Sequence, residues 1–80
     1  MTYLLKDYDT GEPICSIRFK KSESKFTIRE SIREFCTYFA KGNEDGYFEG
    51  MPRNEWVVMR LCERFKAKAT WFNEGDLLYI

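Results

Sequence analysis

The chain has 80 residues, 13 Lys+Arg against 13 Asp+Glu, a formal net charge of zero and no histidine. A chain of this length supports one small domain, residues 1–80, with a single core and no room for a second domain or a deep substrate cleft. Zero net charge means that no global field draws it to nucleic acid or membrane, and the commonest general base and metal ligand is missing.

In chain order, Tyr3-Leu4-Leu5-Lys6 reads as a strand and Ile14 to Lys20 as a second. Cys15, Ile17 and Phe19 alternate there with Ser16, Arg18 and Lys20, the period of a half-buried strand with a wet outer face. Asp9-Thr10-Gly11 between them has the form of a turn that closes on a left-handed glycine, which predicts a hairpin. Lys20 to Lys25 is a polar connector. Thr27-Ile28-Arg29-Glu30 then fits a capping box, and Ile28, Ile32, Phe35, Cys36 and Phe39 follow as one helical stripe that ends at Gly42.

The segment 42–51 holds Gly42, Gly46 and Gly50. Pro52 suits a first helical turn and Asn54 is an alternative cap. Val58, Leu61, Cys62 and Phe65 form the expected buried stripe of a second helix, flanked by Trp56 and Met59. Ala69–Phe72 and Leu77–Ile80 are short apolar runs separated by Asn73-Glu74-Gly75-Asp76, which predicts a second hairpin. The expected fold class is α+β: one antiparallel sheet from N- and C-terminal hairpins, with two helices on one face, in the order β-β-α-α-β-β. The adjacent apolar pairs Leu4-Leu5 and Trp71-Phe72 fit either face and leave the register open.

Fourteen residues are Phe, Tyr or Trp and only twelve are Val, Ile or Leu, so the core must be built around rings. Cys15, Cys36 and Cys62 stand 21 and 26 residues apart in no metal or redox pattern, and read as buried thiols of a reducing compartment. The first residues are too short an apolar stretch for a secretion signal, and no run approaches a membrane helix. The expected location is cytoplasmic, with no membrane association.

Catalytic patterns are missing. Asp7-x-Asp9-x-Gly11-Glu12 echoes a calcium loop but lacks the distal Glu, so no metal and no other cofactor is expected. There is no phosphate-binding glycine loop, nucleophile elbow or zinc-protease motif. The chain is therefore expected not to be an enzyme.

Charge is segregated along the chain: −2 over residues 1–13, +4 over 14–41, −3 over 42–50, +3 over 51–68 and −2 over 69–80. Two binding surfaces follow. The first is the glycine-flanked loop with Tyr47, Phe48 and Met51 as apolar anchors and an acidic rim at Glu44, Asp45 and Glu49, a protein-contact site by the logic of aromatic hot spots. The second is a set of helix cations, Arg53, Arg60, Arg64 and Lys68 at spacings of 7, 4 and 4, with Arg29 and Arg33 in support, placed to touch phosphates. The helix-then-hairpin order of 53–80 also resembles a winged arrangement. Against it, Glu30, Glu34, Glu55 and Glu63 lie among those cations, as on any soluble helix.

The leading expectation is a small non-enzymatic protein that acts by protein–protein contact. An inhibitor or regulator of a host macromolecule, of the kind phages and mobile elements encode, has this profile. The alternative is a nucleic-acid-binding regulator using the helix cations, and a third reading is a homo-oligomer joined through surface rings.

Overall fold

The computed structural model describes residues 1–42, 50–70 and 73–80. Its elements are β1 (Thr2–Lys6), β2 (Pro13–Arg18), α1 (Lys25–Ala40), α2 (Arg53–Phe65), β3 (Lys68–Thr70) and β4 (Asp76–Tyr79). The order and the α+β class are those expected from the sequence.

The first hairpin forms as expected, but Asp7 organises it. Asp7 Oδ1 accepts hydrogen bonds from the backbone N–H groups of Asp9 (2.8 Å) and Thr10 (3.1 Å). The Gly11 N–H then donates to the Asp7 carbonyl at 2.8 Å, with Gly11 at φ +73°. Beyond the turn the register slips by one residue between Leu5↔Cys15 and Lys6↔Pro13. The extra residue is Ile14, and such a bulge turns two successive side chains toward one side. Ile14 and Cys15 both pack against the core as a result.

The sheet is mixed, in the order β3-β2-β1-β4. β1–β2 and β2–β3 are antiparallel, whereas β4 lies parallel to β1, with Leu4 beside Leu77 and Leu5 beside Leu78. The predicted C-terminal hairpin and the winged arrangement therefore do not form, because β3 and β4 occupy opposite edges. Thr70 and Asp76 thus stand at opposite edges of the sheet, and Glu74 and Gly75, which lead into β4, lie against Ser16 of β2 and Thr2 of β1. There Ser16 Oγ donates to the Glu74 carbonyl at 2.9 Å and accepts from the Glu74 N–H at 3.1 Å. Ser16, expected on a wet face, is consequently fully buried. Gly75 touches Thr2 so closely that a Cβ would lie 2.3 Å from the Thr2 carbonyl oxygen, and its φ of +108° also favours glycine.

Tyr3, Leu5, Ile17, Leu78 and Ile80 form the sheet's half of the core, and Ile28, Ile32 and Phe35 of α1 meet them, as the helical stripe predicts. α1 begins a turn earlier than expected. Ser24 is its cap and accepts the Thr27 N–H at 3.1 Å, which displaces Thr27 to the third helical position. It ends in the expected place, with Gly42 at φ +72° donating to the Phe39 carbonyl at 2.9 Å.

α2 starts at Pro52 as cap, with Asn54 inside the first turn. Its buried stripe is Trp56, Val57, Leu61 and Phe65, rotated from the expected one, while Val58 and Cys62 are half-buried on its flank. The indole sets the rotation, because a ring of that size gains most from burial. Trp56 is 1% exposed and meets Phe35 edge-on at 6.0 Å, Tyr38 stacked at 6.0 Å and Phe39 at 5.5 Å. No helix among the described residues is long and apolar enough to cross a membrane.

Candidate functional site

The cations predicted on the helices divide between packing and solvent. Arg60 lies over the rings of Phe35 and Trp56, 5.7 Å from each centroid, and pairs with Glu63 at 3.5 Å. Arg64 sits 4.3 Å above the Phe35 ring, forks onto the Glu34 carboxylate at 3.0 and 3.3 Å, and reaches Ser31 Oγ at 3.3 Å. That fork holds the Glu34 carboxyl below the ordinary carboxylate range. Both guanidiniums thus join α2 to α1, as flat cations do on aromatic faces. Lys68 is not helical: it opens β3, opposite Arg18 on β2.

Arg29 and Arg33 remain exposed on α1 and, with Lys25 one turn earlier, form a row facing β4. The earlier start of α1 places Lys25 in this row rather than in the polar connector. Between the row and β4 runs a groove of about 520 Å³. Ile32, Leu78 and Ile80 line it, and Tyr8 and Tyr79 stand along the strand side. These tyrosines meet edge-on at 6.5 Å and are 77% and 50% exposed; Leu77 beside them is 45% exposed.

Arg53 brings a fourth cation to the groove. It donates to Asn54 Oδ1 at 2.9 Å and to Cys36 Sγ at 3.1 Å. Asn54 Nδ2 in turn donates to Asp7 Oδ2 at 2.7 Å, tying the first hairpin to the start of α2. This bond, with the Thr10 and Asp9 amides, lowers the pKa of Asp7. Among the described residues, no Asp or Glu side chain lines the groove.

β4 is the outer strand on this side. The Ile80 N–H donates to the Lys6 carbonyl at 2.9 Å and the Ile80 carbonyl accepts the Tyr8 N–H at 2.8 Å. Backbone groups alternate along a strand, so Leu78 also turns toward β1 and Leu77 and Tyr79 turn outward. With β4 at the edge of the sheet, these two residues direct their backbone groups away from β1.

Of the predicted loop site, Glu44, Asp45, Tyr47, Phe48 and Glu49 lie outside the described residues. Met51 is half-buried and packs against the core. Cys15, Cys36 and Cys62 are free and half-buried. Burial raises all three thiols, Cys15 to about 11, the opposite direction to the lowering that activates a thiolate. Among the described residues, no three His, Cys, Asp or Glu side chains group to hold a metal ion.

No family model, no curated protein and no solved structure matches this chain.

Proposed function

We propose that this chain is a non-enzymatic binding protein whose α1–β4 groove takes up an extended, acidic segment of a partner protein by strand addition. The observation that carries the reading is the juxtaposition, among the described residues, of the β4 edge of the sheet with a cation-lined groove. An incoming strand finds outward N–H and C=O groups at Leu77 and Tyr79, which supply backbone hydrogen bonds, while the groove selects side chains. Lys25, Arg29, Arg33 and Arg53 favour Asp or Glu on the segment's helix-facing side. Tyr8, Leu77 and Tyr79 offer the aromatic and apolar contacts typical of protein interfaces. Pairing β4 with a second copy of this chain would bring two such cation rows together, which disfavours self-association. A protein that occupies a partner's exposed segment in this way works as an inhibitor or regulator does.

The test is selection of a random peptide library on the full chain, followed by binding measurements on the enriched peptides. Acidic peptides are expected, and Leu77→Pro should abolish their binding without unfolding the protein, since it removes only an outward N–H at a sheet edge. Arg29→Gln with Arg33→Gln should weaken the same peptides. Enriched peptides that bind the Leu77→Pro protein unchanged would exclude strand addition. Dimerisation in sedimentation that Leu77→Pro abolishes would give the edge to a second copy instead.

A further inference from the structure

The opposite edge of the sheet has different chemistry. Arg18, Lys20 and Lys21 from the end of β2 and the following turn, Lys66 from the end of α2 and Lys68 from β3 surround a second concavity of about 450 Å³. All five are exposed, and no described carboxylate lines the concavity. The ion pairs among described residues, Arg33–Glu30, Arg60–Glu63 and Arg64–Glu34, involve none of them.

Two of these cations stand where the backbone disfavours them. Lys66 ends α2 in the left-handed conformation, at φ 53° and ψ 41°, a position that glycine or asparagine normally takes. It is the one non-glycine residue among those described with positive φ. Arg18 and Lys68 are direct cross-strand partners, where like charges repel. Two separate local preferences are thus broken at one place, each time in favour of a positive charge. Such departures mark sites kept for function rather than stability.

We infer that this cluster is a second binding site, for the phosphate backbone of nucleic acid. The composition distinguishes that ligand from an acidic protein. Four of the five cations are lysines, which protein interfaces avoid and phosphates accept as point charges. The aromatic ring at the site, Phe19, is held in the core by Tyr3 at 5.9 Å and Phe65 at 5.5 Å. It offers no face for base stacking, so contacts go to phosphates and binding is independent of sequence. The site uses residues other than those of the α1–β4 groove and does not rest on that reading.

The test is fluorescence anisotropy of the full chain with labelled single-stranded and duplex DNA of about 20 nucleotides, at about 50 and 200 mM salt. Five phosphate contacts give a slope of log K against log salt near −3.5 for single strands and −4.5 for duplex, a loss of roughly 100- to 500-fold across that range. Lys20→Gln with Lys68→Gln should reduce the slope by about 1.4–1.8. Lys66→Gly is the sharper variant: affinity and slope should fall while the melting temperature rises, whereas a purely structural lysine would leave affinity unchanged. Arg29→Gln with Arg33→Gln should leave DNA binding unaltered. Lack of binding at the lower salt, or loss that tracks Arg29 and Arg33 instead, would overturn the assignment. Displacement of DNA by polyglutamate at equal charge concentration would also overturn it, in favour of an acidic polypeptide.

Discussion

Gly75→Ala probes the crossing between the two sheet edges. The new Cβ would meet Thr2 backbone atoms at 2.3 and 2.6 Å, and no flexible side chain can move to relieve it. Forcing packed backbone apart costs about 1–3 kcal/mol. Holding alanine at φ +108° adds about 1–2 kcal/mol, and the stiffer unfolded chain offsets about 0.4–1 kcal/mol. The net expectation is a destabilisation of about 2–4 kcal/mol. With an m-value of about 1 kcal/mol/M for so small a domain, the urea midpoint should fall by about 2–4 M, read by far-UV circular dichroism. Gly42→Ala is the control. Gly42 has φ +72° and no described atom near its Cβ position, so only the backbone penalty applies, about 0.5–1 kcal/mol after the same unfolded-chain offset. If the two variants lie within about 0.5 kcal/mol of each other, the crossing is not clamped against Thr2 and the reasoning fails.

Other consequences are equally accessible. Ser16→Ala removes the acceptor of the Glu74 N–H and should cost about 1–2 kcal/mol in the same melts; a loss under about 0.5 kcal/mol would mean that Ser16 does not hold the crossing. Asp7 has a folded pKa below the ordinary 3.8, so its contribution to stability is present above that value and is lost as pH falls through the lower folded pKa. Asn54→Ala removes the largest cause, and NMR titration should then find Asp7 closer to 3.8; an unchanged titration would refute the role of that bond. Cys15 has the opposite sign: between its ordinary 9.0 and the folded value of about 11 the unfolded chain ionises first, so stability falls as pH rises. In the Cys36→Ser/Cys62→Ser protein, burial remains but the Cys62 charge is gone, so thiolate absorbance should still titrate higher when folded than in denaturant; coincident curves would contradict the burial of Cys15.

Of the groove residues, Arg29 and Arg33 were legible from helical spacing alone and line it together. The groove itself was not, because its other wall is β4, a strand 50 residues away. Nor was the fate of Arg60 and Arg64 legible. Their spacing assigned them a common helix face, but whether that face meets water or the rings of α1 depends on how α2 is rotated, and the Trp56 indole decides that. The basic cluster joins two stretches, Arg18 to Lys21 and Lys66 to Lys68, which only the pairing of β2 with β3 brings together.

Local sequence settles the features that depend on near neighbours. These are the α+β order, the first hairpin with its left-handed Gly11, and the apolar stripe of α1 with its stop at Gly42. Each follows from a period or a turn residue that acts over a few positions. Tertiary structure alone decided which strands pair. Asn73-Glu74-Gly75-Asp76 carries the signature of a hairpin turn, yet Gly75 serves a close approach to Thr2, and the chain crosses the sheet to lay β4 parallel to β1. A turn residue specifies a backbone conformation and not the strand beyond it. Pairing is settled by where the apolar side chains of Leu78 and Ile80 find the core, beside Leu5 and under α1.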